Sequence, residues 1–264
     1  MSYSPDVPPR HIARRNVSKP AWTVRRNSAP RPVAQLSSRV TRRFEVEWFD
    51  GTDIQDFSRV VPALPAFEEA FGAFAHGVLI QTDQGPVAIE DLLPGMMLET
   101  GDGEYTRLLW KGSIMLVPGA PTMSDTPQKL YRMMPDALGP GRPTQDQTFG
   151  PHARRLDRNP KARAIYGVTE ALVPLRSLTD GMAVVEVTPA TPVRIYHLMT
   201  ETHSTIRANG VEVETYHPGP DLALSMSAEM MAVYMGFFPF LNDIRDFGRM
   251  TAARLNEGDL AAIA

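Results

Sequence analysis

Histidines are the first candidates for chemistry in this chain, because it contains no cysteine. Thiolate catalysis, disulfides, zinc ribbons and iron–sulfur clusters are therefore excluded. Apart from one near the N-terminus, the histidines are His76, His152, His197, His203 and His217. Their spacing matches no zinc signature, although His197 and His203 could face each other across a hairpin. With no Gly-x-Ser-x-Gly motif and no glycine-rich phosphate loop, the residues predict no metal and no cofactor.

The elements that would position these residues are short β-strands. From about Phe71 onward, short apolar runs are separated by Gly, Pro and Asp, a pattern typical of strands joined by tight turns. Asn209-Gly210 predicts a two-residue hairpin turn, because both residues tolerate a positive φ. Strands are predicted at residues 78–80, 87–89, 96–98, 106–110, 114–117, 171–174, 183–187, 193–200, 204–208 and 211–215. The fold class is therefore mainly β.

Two regions depart from this strand pattern. Residues 119–161 are rich in Pro, Asp, Gln and Arg and are predicted to be an insertion, with one helix at residues 130–138. Beyond Pro220, apolar residues recur at three- and four-residue spacings and predict a C-terminal helical tail over residues 220–264, with two amphipathic helices separated at Pro239. We expect the apolar stripe of this tail to pack against the core, with a docking or dimer face as the alternative.

Charge divides the chain into a basic arm and an acidic body. Residues 1–43 hold ten basic residues and one acid, six prolines and no glycine, which predicts a disordered basic arm. Residues 44–70 are predicted to be an acidic linker, and residues 44–100 hold eleven acids against Arg59 alone. The arm could bind nucleic acid, an anionic lipid surface or another acidic surface, or it could fold back onto its own body.

No secretory signal or membrane span is expected. Neither Arg14-Arg15 nor Arg25-Arg26 is followed by an apolar stretch, as a twin-arginine signal would require. The longest apolar run, residues 230–241, contains Pro239 and is shorter than the roughly 20 residues that span a bilayer. We expect a cytoplasmic protein with no transmembrane segment.

Three separated segments carry a family resemblance. Residues 74–82 (FAHGVLIQT) and 85–95 (GPVAIEDLLPG) resemble the opening of a Hedgehog/intein (Hint) domain. Residues 193–198 (VRIYHL), His203 and residues 206–210 (IRANG) are similar to the final hairpin of that domain. Trp110-Lys111-Gly112, Val173-Pro174 and residues 216–219 (YHPG) further suggest a bacterial Hint subgroup.

The resemblance implies a horseshoe of β-strands over residues 71–219 and an ancestral ability to cut its own backbone. In the family, a first residue that is Cys, Ser or Thr attacks the preceding carbonyl. A Thr-x-x-His or Ser-Pro-x-His segment then stabilises the oxyanion and protonates the leaving nitrogen. The corresponding pocket positions here, which carry none of the family's catalytic groups, are Ala73, His76, Gly150, His152, Ala153 and Asn209.

These positions lack the groups that the reaction needs. Ala73 stands at the nucleophile position, Gly150 replaces the hydroxyl and Ala153 replaces the imidazole. His152 is one residue away, and in a strand its side chain is expected to face away from the pocket unless a bulge intervenes. We therefore expect a Hint-like binding or structural module with a protein partner. The alternative is an autoprocessing enzyme that uses unusual residues, with His76 or His152 as the acid or base.

Overall fold

The computed structural model describes residues 40–124 and 127–263. Within these ranges sixteen strands form a mixed sheet, and short helices lie between the strands along the chain and in the C-terminal segment. The strands are β1 (Thr41–Phe49), β2 (Ile54–Pro62), β3 (Phe74–Ala75), β4 (Leu79–Thr82), β5 (Gly85–Ala88), β6 (Met97–Glu99), β7 (Tyr105–Leu116), β8 (Leu130–Met133), β9 (Gln147–Phe149), β10 (Arg154–Asp157), β11 (Ala171–Pro174), β12 (Val184–Val187), β13 (Val193–Thr200), β14 (Thr205–Ala208), β15 (Val211–Glu214) and β16 (Ala253–Arg254). The helices are α1 (Pro65–Glu69), α2 (Pro160–Tyr166), α3 (Leu222–Ser225), α4 (Ala228–Met235) and α5 (Glu257–Ile263), with 3₁₀ turns at Leu175–Leu178 and Ile244–Phe247.

The order of strands across the sheet does not follow the order along the chain. The main path runs β12-β8-β9-β3-β13-β7-β6-β4-β14-β15-β10-β11-β16, with β1 added to β7, β2 to β1 and β5 to β4. Long-range pairings therefore bring segments that are distant in sequence side by side, among them β3 and β9. That pairing positions the candidate site described below.

Most of the predicted strands are confirmed, including β13 and the hairpin of β14 and β15. At its turn, Asn209 has φ 48° and Gly210 has φ 83°, the positive angles that a two-residue hairpin turn requires. The strands predicted at 106–110 and 114–117 are instead one strand, β7. Gly112 lies within this strand, where an added Cβ would come 2.2 Å from the Trp110 ring and 2.6 Å from the Phe71 ring, so the two packed rings leave no room for a side chain.

The prediction of an acidic linker at residues 44–70 is wrong. These residues form the hairpin of β1 and β2 followed by α1, and β1 pairs with β7 from Phe44 to Trp48. Apolar Phe44 and Val46 alternate with acidic Glu45 and Glu47, so one face of β1 is buried while the other is charged. The strand begins at Thr41, inside the predicted basic arm, and residues 1–39 of that arm lie outside the described residues.

The predictions for 119–161 and for the tail need correction too. Residues 130–133 are strand β8 and not a helix, because they pair with both β12 and β9. Together with β9 and β10 they are part of the sheet, so this segment is not an insertion outside it. In the tail, α4 precedes Pro239 as predicted, but a 3₁₀ turn, β16 and α5 follow in place of one second helix.

Two large hydrophobic cores lie on the sheet, and a small third cluster consists of Ala162, Ala171, Val173 and Leu255. The first core is mainly aliphatic and includes Ile80, Leu98, Leu198 and Val213. The second core is aromatic and joins the β1–β2 hairpin, α1 and the C-terminal segment; its large rings are Phe44, Phe67, Phe71, Trp110, Tyr216, Tyr234, Phe237, Phe238 and Phe247. The prediction that the apolar stripe of the tail packs against the core is confirmed. No helix of the described part of the chain is both long enough and apolar enough to cross a bilayer.

Candidate functional site

The Gly72–Ala73 peptide lies between α1 and β3, where the sheet brings a distant turn against it. The N–H of Gly150 donates a hydrogen bond to the carbonyl of Ala73 (2.8 Å), and the N–H of His152 donates one to the carbonyl of Gly72 (3.0 Å). On the other side, the N–H of Ala73 donates to the carbonyl of Tyr196 on β13 (2.9 Å). Ala73 is completely buried. This peptide is therefore held by backbone hydrogen bonds from both sides.

Gly150 has no room for a side chain. A Cβ at this position would lie 2.3 Å from the carbonyl oxygen of Gly72 and 2.8 Å from its carbonyl carbon. Both atoms belong to backbone that the hydrogen bonds above hold in place, so neither can move aside at low cost. The position at which the resemblance implies a hydroxyl group therefore accepts glycine alone in this geometry.

His152 does not face away from the Gly72–Ala73 peptide, and the prediction that it would is wrong. Residues 150–153 form a turn between β9 and β10, not a strand, so the alternation of side chains does not apply. The imidazole packs against Gly72, since a Cβ built there would lie 2.8 Å from its Cδ2 atom. Nε2 is buried and has no hydrogen-bond partner among the described residues.

Burial makes the His152 imidazole a weak base. Loss of solvation lowers its pKa to about 4, and the guanidinium groups of Arg154 and Arg176 act in the same direction. The carboxylate of Glu69 opposes this shift without cancelling it. At neutral pH the ring is therefore uncharged, and its proton is not readily available to a leaving group.

Of the predicted pocket positions, the structure brings together Ala73, Gly150, His152 and Ala153. Ala153 is buried in the first core. His76 is 62% exposed and pairs with Glu90 (3.3 Å between Nε2 and Oε1). Asn209 is in the hairpin turn, where its side chain bonds to Thr144 and to the carbonyl of Gln145. The contacts of His76 and Asn209 are thus with other parts of the fold.

A partly buried ionic cluster next to this peptide was missed by the sequence analysis: Glu214 and His203 are buried, while the side chains of Glu69, Arg154 and Arg254 are 18–32% exposed. Glu69 and Arg154 are joined at 2.9 Å, and Arg254 and His203 contact one oxygen of Glu214 at 2.9 and 3.1 Å. Arg154 also lies 3.9 Å from Glu214, which connects the two halves of the cluster. No local pattern could identify it, because Glu69 and Arg254 are far apart along the chain.

The basic groups of this ionic cluster keep its two carboxyls ionised. Burial would raise the pKa of Glu214, but the His203 hydrogen bond and the guanidiniums of Arg254 and Arg154 lower it overall. Burial likewise opposes ionisation of Glu69, and Arg154 is the main group that lowers the pKa of its carboxyl. Both carboxyls are therefore ionised and paired at neutral pH. In the described ranges no group of His, Asp and Glu side chains is placed to hold a metal ion.

A groove of about 1450 Å³ adjoins the ionic cluster. Its polar lining includes Glu69, Arg154 and Arg254 of the ionic cluster, together with Asp221 and Glu229. The apolar lining comes from the end of β2, the start of α1, the segment between β7 and β8, and the C-terminal segment. It includes Pro62, Leu64, Met123, Leu222, Met226, Met230 and Met250. A large, mostly apolar groove with a few fixed charges is typical of a binding surface.

The comparisons with known proteins bear on the region that contains the Gly72–Ala73 peptide. A family model described as a Hint domain matches residues 72–220. Among solved structures, the chain is similar to the solution structure of a bacterial intein-like domain from Clostridium thermocellum, at 14% identity and a TM-score of 0.38, over 55% of this chain and 99% of that chain. No curated protein matches the chain. The range matched by the family model includes Ala73, Gly150 and His152, but not Glu69 or Arg254.

Proposed function

Because the chain belongs to the Hint domain family, we propose that it is a Hint module that no longer cleaves its own backbone and serves as a binding or structural module. The observation that carries this proposal is the chemistry at the Gly72–Ala73 peptide. Position 73 presents a methyl group, which cannot attack the Gly72 carbonyl, and position 150 has no room for a hydroxyl-bearing side chain. The attack that starts Hint self-cleavage therefore has no nucleophile at its aligned position.

The remaining polar groups at this peptide act as structural groups in this proposal. The N–H of His152 donates to the carbonyl of Gly72, so one hydrogen bond that could stabilise an oxyanion is present. The hydrogen bond polarises the Gly72 carbonyl, but among the described residues there is neither a nucleophile to attack it nor a charged acid to protonate the leaving nitrogen. The Gly72–Ala73 amide therefore remains stable. The partner of such a module is proposed to be a protein, and the groove beside the ionic cluster is its best candidate surface.

A second candidate function is autoprocessing with unusual residues, and one observation favours it. The His152 imidazole lies against Gly72, on the peptide that the family would cleave, and does not point away from it. With a nucleophile at position 73, this ring could supply a proton to the leaving nitrogen. The two functions therefore differ in whether any residue of the native chain can attack the Gly72 carbonyl.

Intact mass of the purified full chain tests the first candidate. We expect a single unbroken species after incubation with excess thiol or with hydroxylamine, because no ester or thioester can form at position 73. Fragments that end at Gly72 and begin at Ala73, and that disappear when the chain is denatured beforehand, would establish the second candidate instead.

The substitution Ala73→Cys tests whether the rest of the catalytic apparatus survives. We expect Ala73→Cys to remain intact in thiol, because the His152 ring is uncharged at neutral pH and no other acid contacts the leaving nitrogen among the described residues. Ala75→Cys is the matched control, since Ala75 is equally buried two residues further along. Thiol-dependent cleavage between residues 72 and 73 in Ala73→Cys, but not in Ala75→Cys, would show a surviving acid. If the double variant Ala73→Cys/His152→Gln no longer cleaved, His152 would be identified as that acid.

A further inference from the structure

The groove beside the ionic cluster opens where the described chain begins. The carbonyl of Val40 accepts a hydrogen bond from the N–H of Ala63 (2.9 Å), and Thr41 pairs with Pro62. Pro62 and Leu64, on either side of Ala63, line the groove. Val40, the first residue that the structure describes, therefore lies beside residues that line the groove.

The groove is chemically suited to an extended segment with mixed apolar side chains. Its lining contains four methionines, Met123, Met226, Met230 and Met250. Methionine is flexible and polarisable, so such a surface adapts to side chains of different shape without a specific fit. The apolar residues Trp22, Val24, Val33 and Leu36 of the preceding segment are suitable occupants.

Charge favours the same occupant. Arg154 and Arg254 in the groove are paired with Glu69 and Glu214, so their positive charges are already neutralised. Asp221 and Glu229 also line the groove, and neither forms an ion pair within the described residues. Residues 1–39 hold eight basic residues and a single acid. This basic segment is therefore opposite in charge to the groove carboxylates that have no ion-pair partner among the described residues.

We propose that residues 22–39 of this chain occupy the groove, with apolar side chains against the methionines and arginines near Asp221 and Glu229. Eighteen residues extend to about 60 Å at most, which is ample for a segment that starts beside the groove. Because the segment is tethered there, its effective concentration is on the order of millimolar, so weak contacts suffice. Any external partner must then displace it. The proposal does not depend on whether the Gly72–Ala73 peptide can be cleaved.

A site-specific crosslink tests this intramolecular contact, because the full chain has no cysteine of its own. Ser225 lines the groove and is exposed, so Ser225→Cys can carry a thiol-linked benzophenone with little change to the fold. Ser58→Cys, on exposed β2 and outside the groove, is the matched control. After illumination, digestion and mass spectrometry, we expect residue 225 to crosslink to peptides from residues 22–39. Residue 58 should not.

Two further measurements make the result decisive. Reversing charges with Arg25→Glu, Arg26→Glu and Arg31→Glu in the Ser225→Cys chain should lower the crosslink yield about threefold or more, as should about 1 M salt, where the Debye length is about 3 Å. Mixing isotope-labelled with unlabelled chains should give crosslinks within one chain only. The proposal is overturned by crosslinks from residue 225 that never reach residues 22–39, by equal yields at residues 58 and 225, or by crosslinks that join two copies.

Discussion

The two hydrophobic cores are built from different parts of the chain. Every buried residue of the first core, from Ala73 to Val213, lies inside the range that the Hint family model matches. The second core takes most of its aromatic rings from outside that range, from the β1–β2 hairpin, α1 and the C-terminal segment. Phe44 and Phe237, for example, meet at 5.1 Å although one precedes and the other follows the matched range. The flanking segments therefore supply most of the rings of the second core, which they share with residues of the Hint sheet such as Trp110, Ile114 and Ile195.

Strand β13 connects the two cores. Tyr196 and Leu198 belong to the first core, while Ile195 and Met199 belong to the second. Successive side chains of a strand point to opposite faces, so one strand can be buried on both sides. We expect the two cores to unfold together for this reason, and the following predictions test that coupling.

The largest loss of unfolding free energy is expected for Phe237→Ala. This ring contacts Phe44, Phe67 and Phe71 with centroid distances of 5.1 to 5.4 Å, and its own carbonyl accepts the Trp110 Nε1–H at 2.8 Å. Removing it leaves a large cavity in the second core, which costs about 3–5 kcal/mol of unfolding free energy. Denaturation should show this loss both in tryptophan fluorescence and in hydrogen exchange at β14 and β15.

The control for Phe237→Ala is Leu224→Ala, since Leu224 is 87% exposed and in the same C-terminal segment. That variant should stay within about 0.5 kcal/mol of the native chain. If Phe237→Ala altered fluorescence while leaving exchange at β14 and β15 unchanged, the cores would be independent and the coupling through β13 would be refuted.

Acidic pH is expected to destabilise the folded chain. The pKa of His152 is lowered to about 4 and so is that of His217, in each case chiefly by burial. As pH falls below the ordinary histidine value of 6.5, the unfolded chain takes up protons before the folded chain does. Stability should therefore fall between about pH 6.5 and pH 4, and the part due to His152 is about 3 kcal/mol.

His152→Leu isolates this pH dependence, because Nε2 has no hydrogen-bond partner in the described structure to lose. The unfolding free energy of this variant should change less between about pH 7 and pH 4 than that of the native chain. Unfolding curves in denaturant at several pH values measure both slopes. If the unfolding free energy changed with pH equally in both chains, the pH dependence would come from groups other than His152.

A third and smaller effect is expected for Gly150→Ala. The added methyl group would overlap the backbone of Gly72, so the turn at 150–153 must shift, at a cost of about 1–3 kcal/mol. Gly258→Ala is the control, because Gly258 is exposed on α5 and the atom nearest to an added Cβ there is the side-chain oxygen of Asn256. In thermal unfolding, Gly150→Ala should unfold at a clearly lower temperature than Gly258→Ala. A neutral Gly150→Ala would indicate that the backbone around Gly72 is softer than its hydrogen bonds suggest.

The smallest effect is expected for Glu45→Gln. Glu45 on β1 pairs with Arg194 on β13, but both side chains are more than a third exposed. Exposed ion pairs contribute about 0.2–1 kcal/mol, and salt reduces that further. Denaturation at low and high salt should show a loss under about 1 kcal/mol that salt removes. A larger loss would mean that charge, and not aromatic packing, attaches the hairpin to the sheet.

Local patterns were sufficient for many elements and misleading for a few. The alternation of Phe44, Val46 and Trp48 with Glu45 and Glu47 is itself a strand pattern, and the acidic composition of residues 44–70 concealed it. Residues 130–133 carry no comparable signal, because pairing on both edges decided that they form β8. His152 was misplaced for a local reason, since a turn and not a strand contains it.

The sequence by itself determined the family, most strands of the Hint sheet, the Asn209-Gly210 turn and the absence of a nucleophile at position 73. These follow from side-chain periodicity, backbone preferences and residue identity, which are local properties. Only the tertiary structure decided the aromatic second core, the ionic cluster and the groove. Glu69, Arg154, Glu214 and Arg254 come from four separate segments, and their charges are stable in this partly buried position only because the folded sheet holds them within ion-pair distance.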